Sequence, residues 1–134
     1  MKFGTTLDIS AAALSAQNSR LQVIAQNLAN ADSTSSTPGG NPYQRKTIAF
    51  QDVYSQAAGT NVVEVAAIGR DKTPFPMKYD PSNPAANAQG YVKMPNVNSL
   101  VELMDMQQAQ RSYDANLSVM NATRGMMTRT LGLI

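Results

Sequence analysis

The side chains able to do acid–base or metal chemistry in this sequence are carboxylates and cations only, because His and Cys are absent. Without His the commonest general base, the commonest metal ligand and the usual switch near neutral pH are missing. Without Cys there is no disulfide, thiolate or Cys-based zinc site. Asp and Glu together number nine, and Lys and Arg eleven. Glu64, Asp71, Asp80 and Glu102 belong to different expected elements, so no spacing pairs them for acid–base work. No catalytic triad, phosphate loop or GxGxxG turn is present. Asp80-Pro81-Ser82-Asn83 comes nearest to a calcium loop, but its spacing departs from the EF-hand pattern. Pro81 and Pro84 make it a rigid turn instead. The expectation is a protein that is not an enzyme and holds no metal or cofactor.

The cations point no more strongly to nucleic acid. Net charge is +2, and the pI near 9.0 reflects the lack of His more than a large basic excess. Arg45-Lys46 is the one adjacent basic pair and reads as a solvated strand edge; a nucleic-acid binder would cluster its cations on one face. Arg124 sits at a heptad position. It either snorkels at the stripe edge or pairs with a carboxylate of another subunit, and the sequence leaves both readings open. Charged residues make up 15%, against about 25% in average soluble domains. Such a surface expects protein to cover it. No run approaches the ~20 apolar residues of a membrane helix. Met1-Lys2-Phe3-Gly4-Thr5-Thr6 opens without the apolar run of a signal peptide. The chain is therefore expected to stay in the cytoplasm or leave by a route that cleaves no signal.

The elements that must position these groups follow from composition. A length of 134 residues predicts one domain, or one with long arms. Residues 5–31 lack Gly and Pro and are rich in Ala, Leu, Gln and Asn. Leu7, Leu14, Leu21 and Leu28 recur every seven residues, with Ala11, Ile24 and Ala25 between them, which predicts a helix with a coiled-coil stripe. Residues 97–134 repeat the pattern. Met106, Tyr113, Met120, Met127 and Ile134 form one heptad series; Leu103, Gln110, Leu117, Arg124 and Leu131 form the complementary one. Asn96 or Asn98 suits the helix cap. Gly125 costs roughly 1 kcal/mol of helix propensity and suits close approach by a neighbour. The heptad runs to the last residue, which expects a docked C-terminus.

All seven Pro and six of the eight aromatics lie in residues 32–96. Residues 32–42 read as a loop. Tyr43–Val53 and Asn61–Ile68 read as strands with a turn between them, and Met77–Tyr79 and Gly90–Pro95 as short extended runs. The fold class is thus mainly α with a small β module: antiparallel, coiled-coil-like N- and C-terminal helices flank a short β-rich middle. The domain division is 1–31 plus 97–134 for the helical part and 32–96 for the loop and β module. A β module this small is marginal alone, and two helices bury only one stripe each, so both need partners.

Leu14-Ser15-Ala16-Gln17 through Asn27-Leu28-Ala29-Asn30-Ala31-Asp32 resembles the amino-terminal signature of bacterial flagellar rod and hook axial proteins. In that superfamily a Thr-Pro-Gly-Tyr turn follows NLAN; here it is stretched over Ser33 to Tyr43, with Thr37-Pro38-Gly39 still readable. Tyr79-Asp80-Pro81-Ser82-Asn83-Pro84, Gly90-Tyr91-Val92-Lys93-Met94-Pro95-Asn96-Val97-Asn98 and Arg111-Ser112-Tyr113-Asp114-Ala115-Asn116 are together similar to the FlgC-type basal-body rod proteins. The resemblance covers nearly the whole chain. It implies a structural subunit of the proximal rod, exported by the flagellar type III apparatus without a cleaved signal and transmitting motor torque. It implies partners: further copies, other rod proteins of the FlgB, FlgF and FlgG type, the FliE-type junction protein at the MS ring, and the export apparatus. Membrane insertion and nucleic acid are not among them. The helix and subunit interface then falls on Leu7, Leu14, Leu21, Leu28, Leu103, Met106, Tyr113, Leu117, Met120, Arg124, Met127 and Leu131. Phe3 with Leu7, and Phe50 with Tyr54, fit the short Phe-x-x-x-hydrophobic spacing of export-gate recognition, a spacing that core packing also produces. A soluble helical adaptor or export chaperone is the competing reading.

Overall fold

Strong helix formers without an interrupting Pro carry residues 3–29 and 99–131 into helices. The computed structural model describes residues 3–132. Helix α1 spans Phe3–Ala29 and helix α2 spans Ser99–Leu131. Between them lie β1 (Lys46–Ser55), β2 (Thr60–Arg70), β3 (Met77–Tyr79) and β4 (Tyr91–Lys93). The strands pair as two separate two-stranded sheets, β1 with β2 and β3 with β4. The expected class, two long helices flanking a small β-rich middle, is the class observed. Ile134, the last of one heptad series, lies outside the described residues.

The chain divides into two compact units. One comprises the described parts of Met1–Gln22, Ile48–Ala67 and Gln107–Ile134. Here the outer part of the β1–β2 hairpin lies along α1. Thr5 Oγ1 donates to the Ala58 carbonyl at 3.2 Å, and the tip closes on Gly59, whose φ of 65° suits glycine. Its amide donates to the Ser55 carbonyl at 2.8 Å. Arg20 Nη2 donates to Gln108 Oε1 at 3.5 Å in the same unit. The other unit comprises Val23–Thr47 and Ile68–Met106, and in it Asn27 meets Glu102.

The buried face of each helix is not the one its largest apolar residues suggest. On α1, Ala16, Val23, Ile24 and Asn27 are buried, while Leu7, Leu14, Leu21 and Leu28 are half-buried and Ala11 and Ala25 exposed. On α2, Met106, Tyr113, Met120 and Met127 are half-buried. The complementary series departs from expectation: Leu103, Gln110, Leu117, Arg124 and Leu131 are exposed, and Glu102, Ala109 and Thr123, each one residue before a member of that series, are buried. Small residues let helix backbones approach, whereas leucines and methionines sit on several faces of α2, so size alone misplaces the stripe by one position. Among the described residues nothing approaches Gly125: a Cβ there would meet no atom within 4 Å.

Candidate functional site: a polar joint at the helix ends

The α1 C-terminus, the residues leading into β1 and the first turns of α2 converge on a network of polar side chains within one unit. Asn27, only 1% exposed, is its first node. Its Nδ2 donates to the Lys46 carbonyl at 2.9 Å and to Glu102 Oε2 at 3.2 Å. Its Oδ1 accepts from the Lys46 amide at 2.8 Å and from the Tyr43 hydroxyl at 2.9 Å. Both amide protons and both lone pairs are therefore used. The side chain grips one residue's N–H and C=O as a neighbouring strand would, and so joins helix to hairpin. Asn30 ends the same helix: its Nδ2 donates to the Gln26 carbonyl at 2.8 Å and its Oδ1 accepts from Ser33 at 3.1 Å. The two asparagines of the NLAN motif thus divide the work of joint and cap, and α1 stops at Ala29 rather than at residue 31.

Glu102 is the second node and is fully buried. Its Oε2 takes the Asn27 proton, and its Oε1 accepts a hydrogen bond and ion pair from Arg45 Nε. Arg45 is the hub. Its Nη1 reaches Asp71 Oδ2 at 3.5 Å and its Nη2 reaches Asp105 Oδ2 at 3.9 Å. Burial by itself would loosen the guanidinium's proton. The hydrogen bond and charge of Glu102, with Asp71 and Asp105, overcome this and hold its pKa above the ordinary value. Asp71 is held below the usual carboxylate range, first by the Thr73 amide at 2.9 Å, then by the Thr73 hydroxyl and by Arg45. Burial pushes the Tyr43 phenol up; Arg70 opposes this and Glu102 adds to it.

Arg45 is therefore not a solvated strand edge but the centre of three ion pairs. It lies just before β1, whose observed start is Lys46 rather than Tyr43; the Tyr43 amide donates to the Ser33 carbonyl and the Arg45 amide to Asn96 Oδ1 rather than to a strand partner. Scattered in sequence, Asp71 and Glu102 meet around its charge. Among the described residues no cluster of carboxylates is free to hold a metal. Sequence reasoning missed this node; the signal available was a basic pair, Arg45-Lys46, that ends an uncharged stretch from Ser33 to Gln44.

The motif segments downstream shape the approach to α2. Asn96 Oδ1 accepts from the Arg45 amide at 2.8 Å, and its Nδ2 donates to the Asp71 and Thr73 carbonyls at 3.1 and 3.2 Å. Asn98, not Asn96, caps α2, accepting from the Leu100 and Val101 amides at 3.1 and 3.3 Å. Asp80 to Pro84 forms the expected turn, with the Asn83 amide on the Asp80 carbonyl at 3.2 Å. Gly90 has a φ of 83°, and a Cβ there would lie 2.9 Å from Tyr79 Cε2. The absent side chain lets Tyr79 and Tyr91 stack edge to face, with centroids 5.2 Å apart.

The other candidate positions are dispersed. Phe3 and Leu7 are half-buried on α1; Phe50 and Tyr54 on β1 are 37% and 64% exposed.

A protein of Agrobacterium fabrum named flagellar basal-body rod protein FlgC is 46% identical over 126 residues, covering 94% of this chain and 91% of its own. Namesakes from Escherichia coli O157:H7 and Bacillus subtilis are 46% and 40% identical, each alignment covering 94% of this chain and, respectively, 93% and 94% of the relative. This chain belongs to the FlgC family of flagellar basal-body rod proteins. Residues 88–133 also match the family model described as Flagellar basal body rod FlgEFG protein C-terminal. That stretch holds the Gly90 turn, the Asn96 tether, the Asn98 cap and α2. In this FlgC-family chain the polar joint is thus structural chemistry: every group in it is spent on holding elements together.

Proposed function

We propose that the chain is a structural subunit of the proximal rod of the bacterial flagellar basal body, transmitting motor torque. The observation that carries this reading is the unpartnered apolar surface of α2. Leu100, Met104 and Leu131 are 68%, 63% and 64% exposed, and no helix is long and apolar enough among the described residues to cross a membrane. Such a surface needs protein around it. The relatives' shared name supplies the setting. The terminal segments 1–31 and 97–134, which carry α1 and α2, serve as assembly arms, and residues 32–96 as the module held between them. Interdigitated apolar side chains resist sliding under torque because close-packed contacts deform little. Neighbours in this reading are further copies, rod proteins of the FlgB, FlgF and FlgG type and the FliE-type junction protein. Export is by the flagellar type III apparatus, and the protein has no catalytic role.

Mass spectrometry of purified basal bodies tests the assignment. The chain is expected there at a fixed ratio to other rod proteins; its presence in the cytoplasm alone would favour the adaptor reading. Leu21→Asp is expected to abolish rod assembly and swimming while leaving secretion intact. Normal swimming in that variant would sink the reading. The exposed Phe50–Tyr54 pair is the better placed of the two export-gate candidates, and Phe50→Ala is expected to lower secretion. Unchanged secretion would remove it.

A further inference from the structure

We propose that a second copy of this chain docks the α2 face of Leu117, Arg124 and Leu131 into a cleft between α1 and β2, with Arg124 pairing with Glu64. The inference rests on the assembly reading above and names the surfaces for it. All the residues involved belong to one compact unit.

The cleft has a volume of about 340 Å³ and is lined by Ala12, Ser15, Ala16 and Ser19 of α1 and by Val63, Glu64 and Val65 of β2. Short side chains on its helical wall leave room for leucine-sized groups. Val63 is 38% exposed, so the strand side is apolar and open. On α2, Leu117, Asn121, Arg124, Thr128 and Leu131 are all exposed and follow one another at helical spacing. The space beside Gly125 is open, so a neighbour can approach the backbone closely at the level of Arg124.

Charge selects the occupant. Glu64 is an exposed acid in the cleft and Arg124 an exposed base on the face. Neither has an ion-pair partner among the described residues. Leu117 lies seven residues before Arg124, about 10.5 Å along the helix, a length comparable to the cleft's helical wall from Ala12 to Ser19. Cleft and face are different surfaces, so the contact is heterologous. Contacts of that kind propagate into open helical arrays when they do not close a ring. The ion pair sets partner and register, and the apolar contact supplies the burial.

The test exploits the lack of native cysteine. A chain carrying Ser15→Cys and Leu117→Cys is assembled in cells, and basal bodies are purified, oxidised and run on a non-reducing gel. The expected result is a ladder of covalent multimers containing this chain alone, with no ladder from either single substitution. Adding Arg124→Glu is expected to lower the ladder at least about tenfold, since like charges would face each other. Adding Glu64→Arg to that chain restores it. Basal bodies that contain the chain but give no ladder, cross-links to a different protein, or a ladder indifferent to Arg124→Glu would each overturn the proposal. If the double-cysteine chain fails to assemble, co-expression decides. Cells with only the Glu64→Arg chain, or only the Arg124→Glu chain, are expected not to swim, and cells with both to swim. Swimming by either alone, or by neither together, overturns the contact. Absence of the native chain from basal bodies would instead remove the assembly reading itself.

Discussion

Asn27 shows how much one amide does when all of its hydrogen-bonding capacity is used inside the protein. Its four bonds reach Lys46, Tyr43 and Glu102, so the end of α1 is written into the positions of two other segments. Glu102 is more exposed to failure than Asn27, because a buried carboxylate is tolerated only while paired. Removing it strands Arg45 and one Asn27 proton, though Asp71 and Asp105 remain beside the guanidinium. Glu102→Ala is expected to cost about 3 kcal/mol, the lower end for a broken buried pair, read as a lower urea midpoint. Glu102→Gln keeps an acceptor for Asn27 and should recover part of the loss. Equal stability of both variants and the native chain would show that the joint contributes nothing. The motif asparagines were visible in the sequence. The role of Arg45 was not, because its acidic partners Asp71 and Glu102 lie 26 and 57 residues further along the chain.

At the scale of elements, α2 carries the sharpest contrast. Its existence and extent follow from composition, and its cap is one of two asparagines two residues apart. The structure chose Asn98 because Asn96 is already occupied with Arg45, Asp71 and Thr73. Asn98→Ala is expected to cost about 1 kcal/mol, whereas Asn96→Ala should cost more, since three tethers go at once. Thermal unfolding followed by helix signal checks the order, and the reverse order would count against the assignment of roles. The buried stripe of α2 was displaced by one residue from the heptad drawn through its leucines. Hydrophobic pattern counts apolar residues, and α2 has more of them than one seam can use. The surplus, Leu103, Leu117 and Leu131 among them, faces outward.

For the whole molecule, the low charge content concentrates electrostatic stability in the Arg45 cluster. Asp71 is more acidic in the folded state than in the unfolded one, where an aspartate titrates near about 3.9. Its contribution is therefore fully present above that value and is lost as pH falls through the depressed folded value. Unfolding midpoints are expected to be nearly flat from neutral pH down to about 5 and to fall below about 4. Asp71→Asn should lower the midpoint at neutral pH and narrow that fall. A native chain and Asp71→Asn variant with parallel profiles would remove Asp71 as the cause.

Sequence by itself determined the two helices, the β-rich middle, the turn at Pro81, and the kinship carried by NLAN and GYVKMPNVN. These are local properties: propensity, periodicity and turn chemistry act over a few residues, and motifs preserve them in order. Tertiary structure alone decided that Arg45 gathers three carboxylates, that Asn27 replaces a strand neighbour, that Asn98 caps α2 and that Arg124 stays on the outside. Each of these depends on which distant group arrives to satisfy a charge or a hydrogen bond. Partners brought together by the fold leave no local pattern in the chain to read.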